Sequence, residues 1–390
     1  MKTKHLLLAF VLLAVGRNVF GAPPDLPIAV RFGDWIMSNW PDPTKMTNKG
    51  WEYNNGIILQ GLSKVYEKNR DPRYLAYIKQ FVDAYVKEDG SVDLGPEHNL
   101  DTLQPGILLL FLYEQTGDEK YHKTADYVRK AFDSIPKNAD GGFWHKKRYP
   151  DEMWVDGIYM GEPFLVKYGQ LFGKDPACFD TAVFQTTLCA RHTQDPATGL
   201  LRHAWDCDRN AAWADPQTGV SPEVWSRGMG WFAMALVDIL PYLPTDHSGR
   251  RELIDSFQKL AAGLKKTQDP KTGLWYQVVD KGDQPDNWHE TSGSGMFVYA
   301  LKIGMDRGYI GREYRDVVAK GWSGLKSKVS AGPDGSPIIS DAVEGMGVQT
   351  NYANYLNKKR LQNSAHGLCA ILLAASEMEL GTPKRRRQTD

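Results

Sequence analysis

Two aspartates stand in surroundings suited to proton transfer. Asp156 lies in Met153-Trp154-Val155-Asp156-Gly157-Ile158-Tyr159-Met160-Gly161, between bulky apolar groups, where a helix is expected to begin. Asp101 lies upstream in His98-Asn99-Leu100-Asp101-Thr102. Burial and a like-charged neighbour raise a carboxyl's pKa, so one member of such a pair can stay protonated near neutrality and act as an acid. The same residues also have a plainer reading as helix N-caps. Asp101 would then start a helix that tolerates Pro105 in its first turn, and Asp156 would start the run ending near Phe172.

Aromatic residues surround these acids. Of twelve tryptophans, Trp51, Trp144, Trp154, Trp205, Trp213, Trp225 and Trp288 fall in expected connections or helix starts. Rings in loops stack on the apolar faces of sugars while nearby polar groups bond the hydroxyls, so the set points to a carbohydrate cleft. Plugging the end of a helical fold is the alternative for each ring taken singly. In Val224-Trp225-Ser226-Arg227-Gly228-Met229-Gly230-Trp231 an arginine opens a helix with no acidic partner one turn on. Its planar fork matches a carboxylate, such as that of a uronic acid; stacking on tryptophan is the other use for it. His145 and His203 sit in aromatic loops that correspond to one another, Phe143-Trp144-His145-Lys146 and Arg202-His203-Ala204-Trp205.

What must hold these groups in place is a series of amphipathic helices. Apolar periodicity predicts twelve: Leu26 to Trp40, Gly56 to Lys68, Pro72 to Val86, Thr102 to Thr116, Asp118 to Ser134, Val155 to Phe172, Pro176 to His192, Glu223 to Leu243, Ser248 to Thr267, Thr291 to Gly308, Gly311 to Lys328 and Ser364 to Leu380. Consecutive helices form six hairpins. A weak repeat supports the count: glycine turns at Asp140-Gly141-Gly142, Thr198-Gly199, Thr272-Gly273 and Asp334-Gly335 recur 58 to 74 residues apart, each between two helices. Six hairpins with their loops at one end close into an all-α, (α/α)6 barrel; an open solenoid is the alternative, disfavoured by the absence of polar capping repeats.

No linker divides residues 23–382, so one barrel domain is expected there. Residues 1–22 read as a secretory signal peptide: Lys2 and Lys4 precede the apolar run Leu6 to Val15, and Gly21 and Ala22 follow. The protein is therefore expected to be exported, periplasmic or secreted. Without Lys2, Lys4 and Arg17, the 47 basic residues fall to 44 against 47 acidic. That balance draws the chain neither to nucleic acid nor to a membrane surface. Residues 383–390 form a short basic tail. The cysteines Cys178, Cys189, Cys207 and Cys369 fit no zinc spacing and assign no disulfide. No metal-ligand set is visible, and no cofactor is expected.

Taken together, Trp51-Glu52-Tyr53-Asn54-Asn55-Gly56, His98-Asn99-Leu100-Asp101, Trp144-His145, the Asp156 block, Arg202-His203 and the Trp225 to Trp231 block resemble glycoside hydrolase family 105, the unsaturated rhamnogalacturonyl hydrolases. The resemblance spans nearly all of the chain after the leader. It implies an (α/α)6 barrel, Asp156 as general acid/base, Asp101 as the second acid, and Tyr53, His145, His203, Trp225, Arg227 and Trp231 as substrate contacts. The implied substrate is an oligosaccharide whose non-reducing end is a 4,5-unsaturated uronate, handled by a monomer or homodimer. Protonation at C4 and hydration at C5 would release it. The related family 88, the unsaturated glucuronyl hydrolases, shares the fold and the acid pair, so ulvan or glycosaminoglycan fragments stay open as substrates. So do a lyase or epimerase using His145 and His203 as bases, and a sugar-binding protein without activity.

Overall fold

The computed structural model describes residues 26–47, 49–173 and 175–381. The leader expected over 1–22 and the tail expected over 383–390 lie outside the described residues.

All twelve expected helices are present: α1 (Ile28–Asn39), α2 (Tyr53–Asn69), α3 (Pro72–Tyr85), α5 (Gly106–Thr116), α6 (Glu119–Ala131), α7 (Gly157–Leu171), α8 (Pro176–Thr193), α9 (Ser226–Ile239), α10 (Arg250–Thr267), α11 (Thr291–Asp306), α12 (Arg315–Ser327) and α14 (Ala365–Glu379). Two short ones join them, α4 (Leu100–Leu103) and α13 (Tyr352–Leu356). The helix expected from Thr102 is broken. Pro105 brings no N–H to continue α4 and instead sits at the N-cap of α5.

Burial sorts the helices into two rings. In α9, 13 of 14 residues are buried, whereas in α10 only 7 of 18 are, along one stripe. A helix apolar all round belongs inside, and one with a single apolar stripe belongs outside. Accordingly α2, α5, α7, α9, α11 and α14 form an inner ring in which each helix packs on the next, and α14 returns to α2. That last contact closes the toroid and excludes the open solenoid. The remaining long helices form the outer ring.

The four repeat glycines all need left-handed backbone, with φ of 86°, 75°, 76° and 78° at Gly141, Gly199, Gly273 and Gly335. At Gly199 the turn also presses on the neighbouring helix: an added Cβ would lie 2.1 Å from the Lys259 carbonyl oxygen. A further copy of this turn was not foreseen, at Thr218-Gly219, where φ is 74°. These turns lie on outer-to-inner connections. There the chain also forms three two-stranded antiparallel ladders: β1 (Glu152–Trp154) with β2 (Ala204–Asp206), β3 (Val329–Ala331) with β4 (Pro337–Ile339), and β5 (Ala342–Val343) with β6 (Arg360–Leu361). The first ladder is the frame for the site, because β1 runs directly into Asp156 and His203 immediately precedes β2.

Candidate active site

Neither aspartate serves as a helix cap. Asn99 caps α4: its side chain accepts from the Asp101 N–H at 3.0 Å, and Thr102 bonds back to the Asn99 N–H. Asp156 occupies the N-cap position of α7, yet its side chain makes no capping bond. Its Oδ1 is buried with no hydrogen-bond partner. Both carboxyls point instead into a cleft of about 600 Å³ at the N-terminal ends of the inner helices.

The acids differ in company. Asp101 is ion-paired with Lys146, and His145 Nε2 stands 3.9 Å from it. Asp156 has no cation in contact; His203 Nε2, 3.8 Å away, is its polar neighbour. Burial pushes the Asp156 carboxyl up from 3.8 to about 7, and the charge of Asp101 adds to the rise. Burial drives His145 down to about 4 and His203 well below its ordinary value, so both imidazoles are neutral near pH 7. A neutral His203 keeps Asp156 from gaining a permanent cation.

Tyr53, His145, Trp225, Arg227 and Trp231 line the cleft with the two acids. His203 does not. It lies fully buried behind Asp156, with Nδ1 2.8 Å from the Tyr355 hydroxyl and its ring 4.4 Å from that of Trp225. Tyr53 shares a hydrogen bond of 3.1 Å with His366. Trp231 stacks on Tyr159 at 4.9 Å. The Arg227 guanidinium sits 4.7 Å over Trp225, so stacking and the cleft both use it. Two of its donors are already spent, Nη1 on the Val343 carbonyl at 2.5 Å and Nη2 on that of Glu344 at 2.7 Å. Only Nε is buried without a partner. Arg227 therefore ties down the 343–347 segment and offers the cleft less than its whole fork.

Several lining residues escaped the sequence reading as site residues: Glu52, Lys146, His366 and the Gly345 to Gly347 stretch. Trp154 stacks on His145 at 4.2 Å, and its indole donates to Glu152 at 2.7 Å. The tryptophan set needs correction. Of the seven loop tryptophans, Trp154 and Trp225 reach the cleft. Trp51 is core, donating to the Thr102 carbonyl, Trp205 stacks on His192, and Trp288 packs beside Val343 and Tyr355. These three rings are buried in the fold and do not line the cleft. Among the described residues no group of three or more His, Cys, Asp or Glu side chains is placed to hold a metal.

The arrangement can deliver a proton from a desolvated acid to an atom held over aromatic rings, with a paired carboxylate opposite. Known proteins share its frame. Residues 28–381 match the sequence model of Glycosyl Hydrolase Family 88. A family 105 glycoside hydrolase from C. acetobutylicum is 34% identical and superposes with a TM-score of 0.84, over 91% of this chain and 99% of that one. The unsaturated rhamnogalacturonyl hydrolase YesR of Bacillus subtilis is 27% identical over 332 residues, 83% of this chain and 89% of that protein. An unsaturated 3S-rhamnoglycuronyl hydrolase of Alteromonas sp. is 31% identical over 339 residues, 82% and 75% of the two chains.

Proposed function

The chain belongs to Glycosyl Hydrolase Family 88 and its family 105 relatives, the unsaturated uronyl hydrolases, and from that premise we propose that it releases the 4,5-unsaturated uronate from rhamnogalacturonan fragments left by a lyase. The observation that carries the reading is Asp156: a buried carboxyl with a pKa of about 7, an unpartnered oxygen, and an open cleft in front of it. An acid poised there is protonated often enough to give its proton and basic enough afterwards to take one back.

Asp156 protonates C4 of the unsaturated ring, and positive charge develops at C5 and the ring oxygen. Asp156, now a carboxylate, removes a proton from the water that adds at C5. The resulting hemiketal opens to a C5 ketone and leaves the ring oxygen on C1 as a hydroxyl. That hemiacetal expels the next sugar as an alcohol. Asp101, paired with Lys146, stands opposite the developing cation. Trp154, Trp225 and Trp231 supply apolar faces, and Arg227 Nε is a free donor for the uronate.

One observation favours a second reading at the level of substrate. Lys49 and Arg148 line the cleft and are exposed at its rim. Cations placed there suit a following sugar that carries sulfate. The test is ultraviolet absorbance of the conjugated uronate during incubation with lyase digests of rhamnogalacturonan, ulvan and chondroitin. Absorbance should fall on the rhamnogalacturonan digest. A fall confined to the sulfated digest would replace the first reading with the second, and a rise on intact polysaccharide would identify a lyase.

A further inference from the structure

Behind the acid stands His203, and behind His203 stands Tyr355. The backbone of His203 is pinned on both sides: the Val155 N–H donates to its carbonyl at 3.0 Å, and its own N–H donates to the Glu223 carbonyl at 3.2 Å. Trp225 packs on its ring at 4.4 Å. So held, the ring turns Nδ1 to the Tyr355 hydroxyl at 2.8 Å and Nε2 to Asp156 Oδ1 at 3.8 Å. Nε2 and Oδ1 are both buried without a hydrogen-bond partner.

The hydrogen bonds of Tyr355 decide which ring nitrogen carries the proton. Tyr355 lies on α13 and is wholly buried, and burial pushes its hydroxyl far above the ordinary value, so the hydroxyl keeps its hydrogen. Among the described residues its oxygen has two partners, the Gln349 N–H at 3.3 Å and His203 Nδ1. The amide can only donate. The hydroxyl's own hydrogen therefore has one acceptor in reach, Nδ1, and a buried hydroxyl rarely leaves its hydrogen unused. His203 is neutral, so its single ring proton then sits on Nε2, the nitrogen aimed at Asp156.

We propose that Tyr355 is a positioning residue for the acid: it fixes the Nε2–H tautomer of His203, which turns the acidic proton of Asp156 toward the cleft and donates to the carboxylate once that proton has left. The inference rests on Asp156 as the acid of the proposed reaction. The opposite tautomer would leave Nε2 a bare acceptor, and Asp156 would donate its proton backward onto it. With hydrogen on Nε2 that path is closed, and Oδ2, the oxygen not sealed from the cleft, carries the proton. At 3.8 Å the N–H is too far away to bond the neutral acid, and a shift of roughly 1 Å brings it into range when the carboxylate forms. A bond gained only as the proton leaves favours the transition state over the ground state. The titratable groups that face Asp156 are Asp101, Lys146, Tyr53, Cys189 and Arg227. His145 and Arg227 face His203, and Glu223 faces Tyr355. None of them bonds the Tyr355 hydroxyl, so removing that hydroxyl leaves their field in place.

Neutron diffraction from crystals of the perdeuterated protein reads the tautomer without using activity. A deuteron on His203 Nε2 is expected, with the Tyr355 deuteron directed at Nδ1; a deuteron on Nδ1 would overturn the proposal. Tyr355→Phe keeps the ring that packs with Trp225, Val278 and Trp288 and removes only the oxygen. On an unsaturated uronyl oligosaccharide its kcat should fall about 10- to 100-fold, the worth of one hydrogen bond to a charged group. KM should stay within about twofold, because Tyr355 does not line the cleft. The alkaline limb of the kcat profile should move to higher pH, since a carboxylate that loses a donor holds its proton more tightly. An unmoved limb, with or without a loss of kcat, would leave Tyr355 as packing alone and overturn the proposal. The underlying reaction fails separately. Activity kept in Asp156→Asn would sink the acid assignment, whereas an inactive Asp156→Asn beside an unmoved limb in Tyr355→Phe would sink this inference alone.

Discussion

The two ends of the barrel hold buried charge in opposite conditions. At the C-terminal ends of the inner helices the charges are matched: Lys68 meets Glu377 at 2.7 Å, Lys167 meets Glu114 at 2.6 Å, and the Tyr299 hydroxyl donates to Asp238 at 2.9 Å. Lys68, in the last turn of α2, also complements that helix's dipole. At the N-terminal ends Asp156 keeps an oxygen with no partner, and Arg227 Nε and Trp225 Nε1 are likewise unpaired. Helix N-termini favour carboxylates by about 0.3–1 kcal/mol, which would lower the Asp156 pKa. Burial and Asp101 outweigh that and carry it to about 7. The C-terminal end is the more exposed, with the Glu114 side chain at 32% against 13% for Asp156, so part of its charge also meets water. Asp156 and Arg227, each with an unpartnered atom and lining the cleft, are the charged groups available to a ligand.

The sharpest way to break this comparison is at its centre. Asp156→Asn keeps shape and removes the transferable proton, so turnover should fall by about 100- to 10,000-fold, the usual worth of a general acid. Substrate binding, followed by calorimetry, should survive. Turnover above a tenth of wild type would remove Asp156 from its assigned role.

At the opposite end the consequence should be inverted. Lys68 and Glu377 are 13% and 7% exposed, so Glu377→Gln leaves a largely buried lysine without its partner. Breaking a fully buried pair costs about 3–5 kcal/mol, and this slightly exposed one should cost less. Urea denaturation should show that loss while kcat at low temperature stays within twofold or so. A large kcat effect would mean that the two ends are coupled.

Much of this contrast was legible in the chain before its structure. All twelve long helices were placed, the outer ones by a single apolar stripe and the inner ones, apolar nearly all round, by the length of their apolar runs. Asp101, Asp156 and the Arg227 block stood out because charged groups among aromatics are rare. What could not be read were contacts made by ring closure. Lys146 is 45 positions from Asp101 in sequence, and no local pattern marks it as that acid's partner. The Gly345 to Gly347 stretch has no aromatic or acidic signal and enters the cleft only because Arg227 holds the adjoining carbonyls. The placement of His203 was misread for a related reason. It shares its loop type with His145, yet the β1–β2 ladder turns one ring into the cleft and the other behind Asp156.

Arg227 sharpens the comparison further. Arg227→Lys keeps the charge but cannot donate to two carbonyls and to substrate together. KM should rise roughly tenfold with a smaller change in kcat. An unchanged KM would leave Arg227 as a loop anchor alone.

The smallest effect tests the imbalance itself as a stability term. In the unfolded chain Asp156 titrates near its ordinary value of 3.8, and in the fold near 7. Below the lower value both states are protonated and no penalty exists. Between the two the fold holds a proton that the unfolded chain has lost, so stability falls as pH rises. Above about 7 the penalty is complete. From about pH 6 to about pH 8 the wild type should lose roughly 1 kcal/mol that Asp156→Asn does not, because the amide has no charge to bury. The inactive variant should thus be the more stable protein at the higher pH, the expected signature of a group kept for chemistry at the expense of the fold. Urea midpoints for the two proteins at both pH values measure the difference directly. Parallel pH dependence would show that Asp156 is ionised in the fold, and the contrast between the barrel's ends would then lie in Asp101 and Lys146 instead.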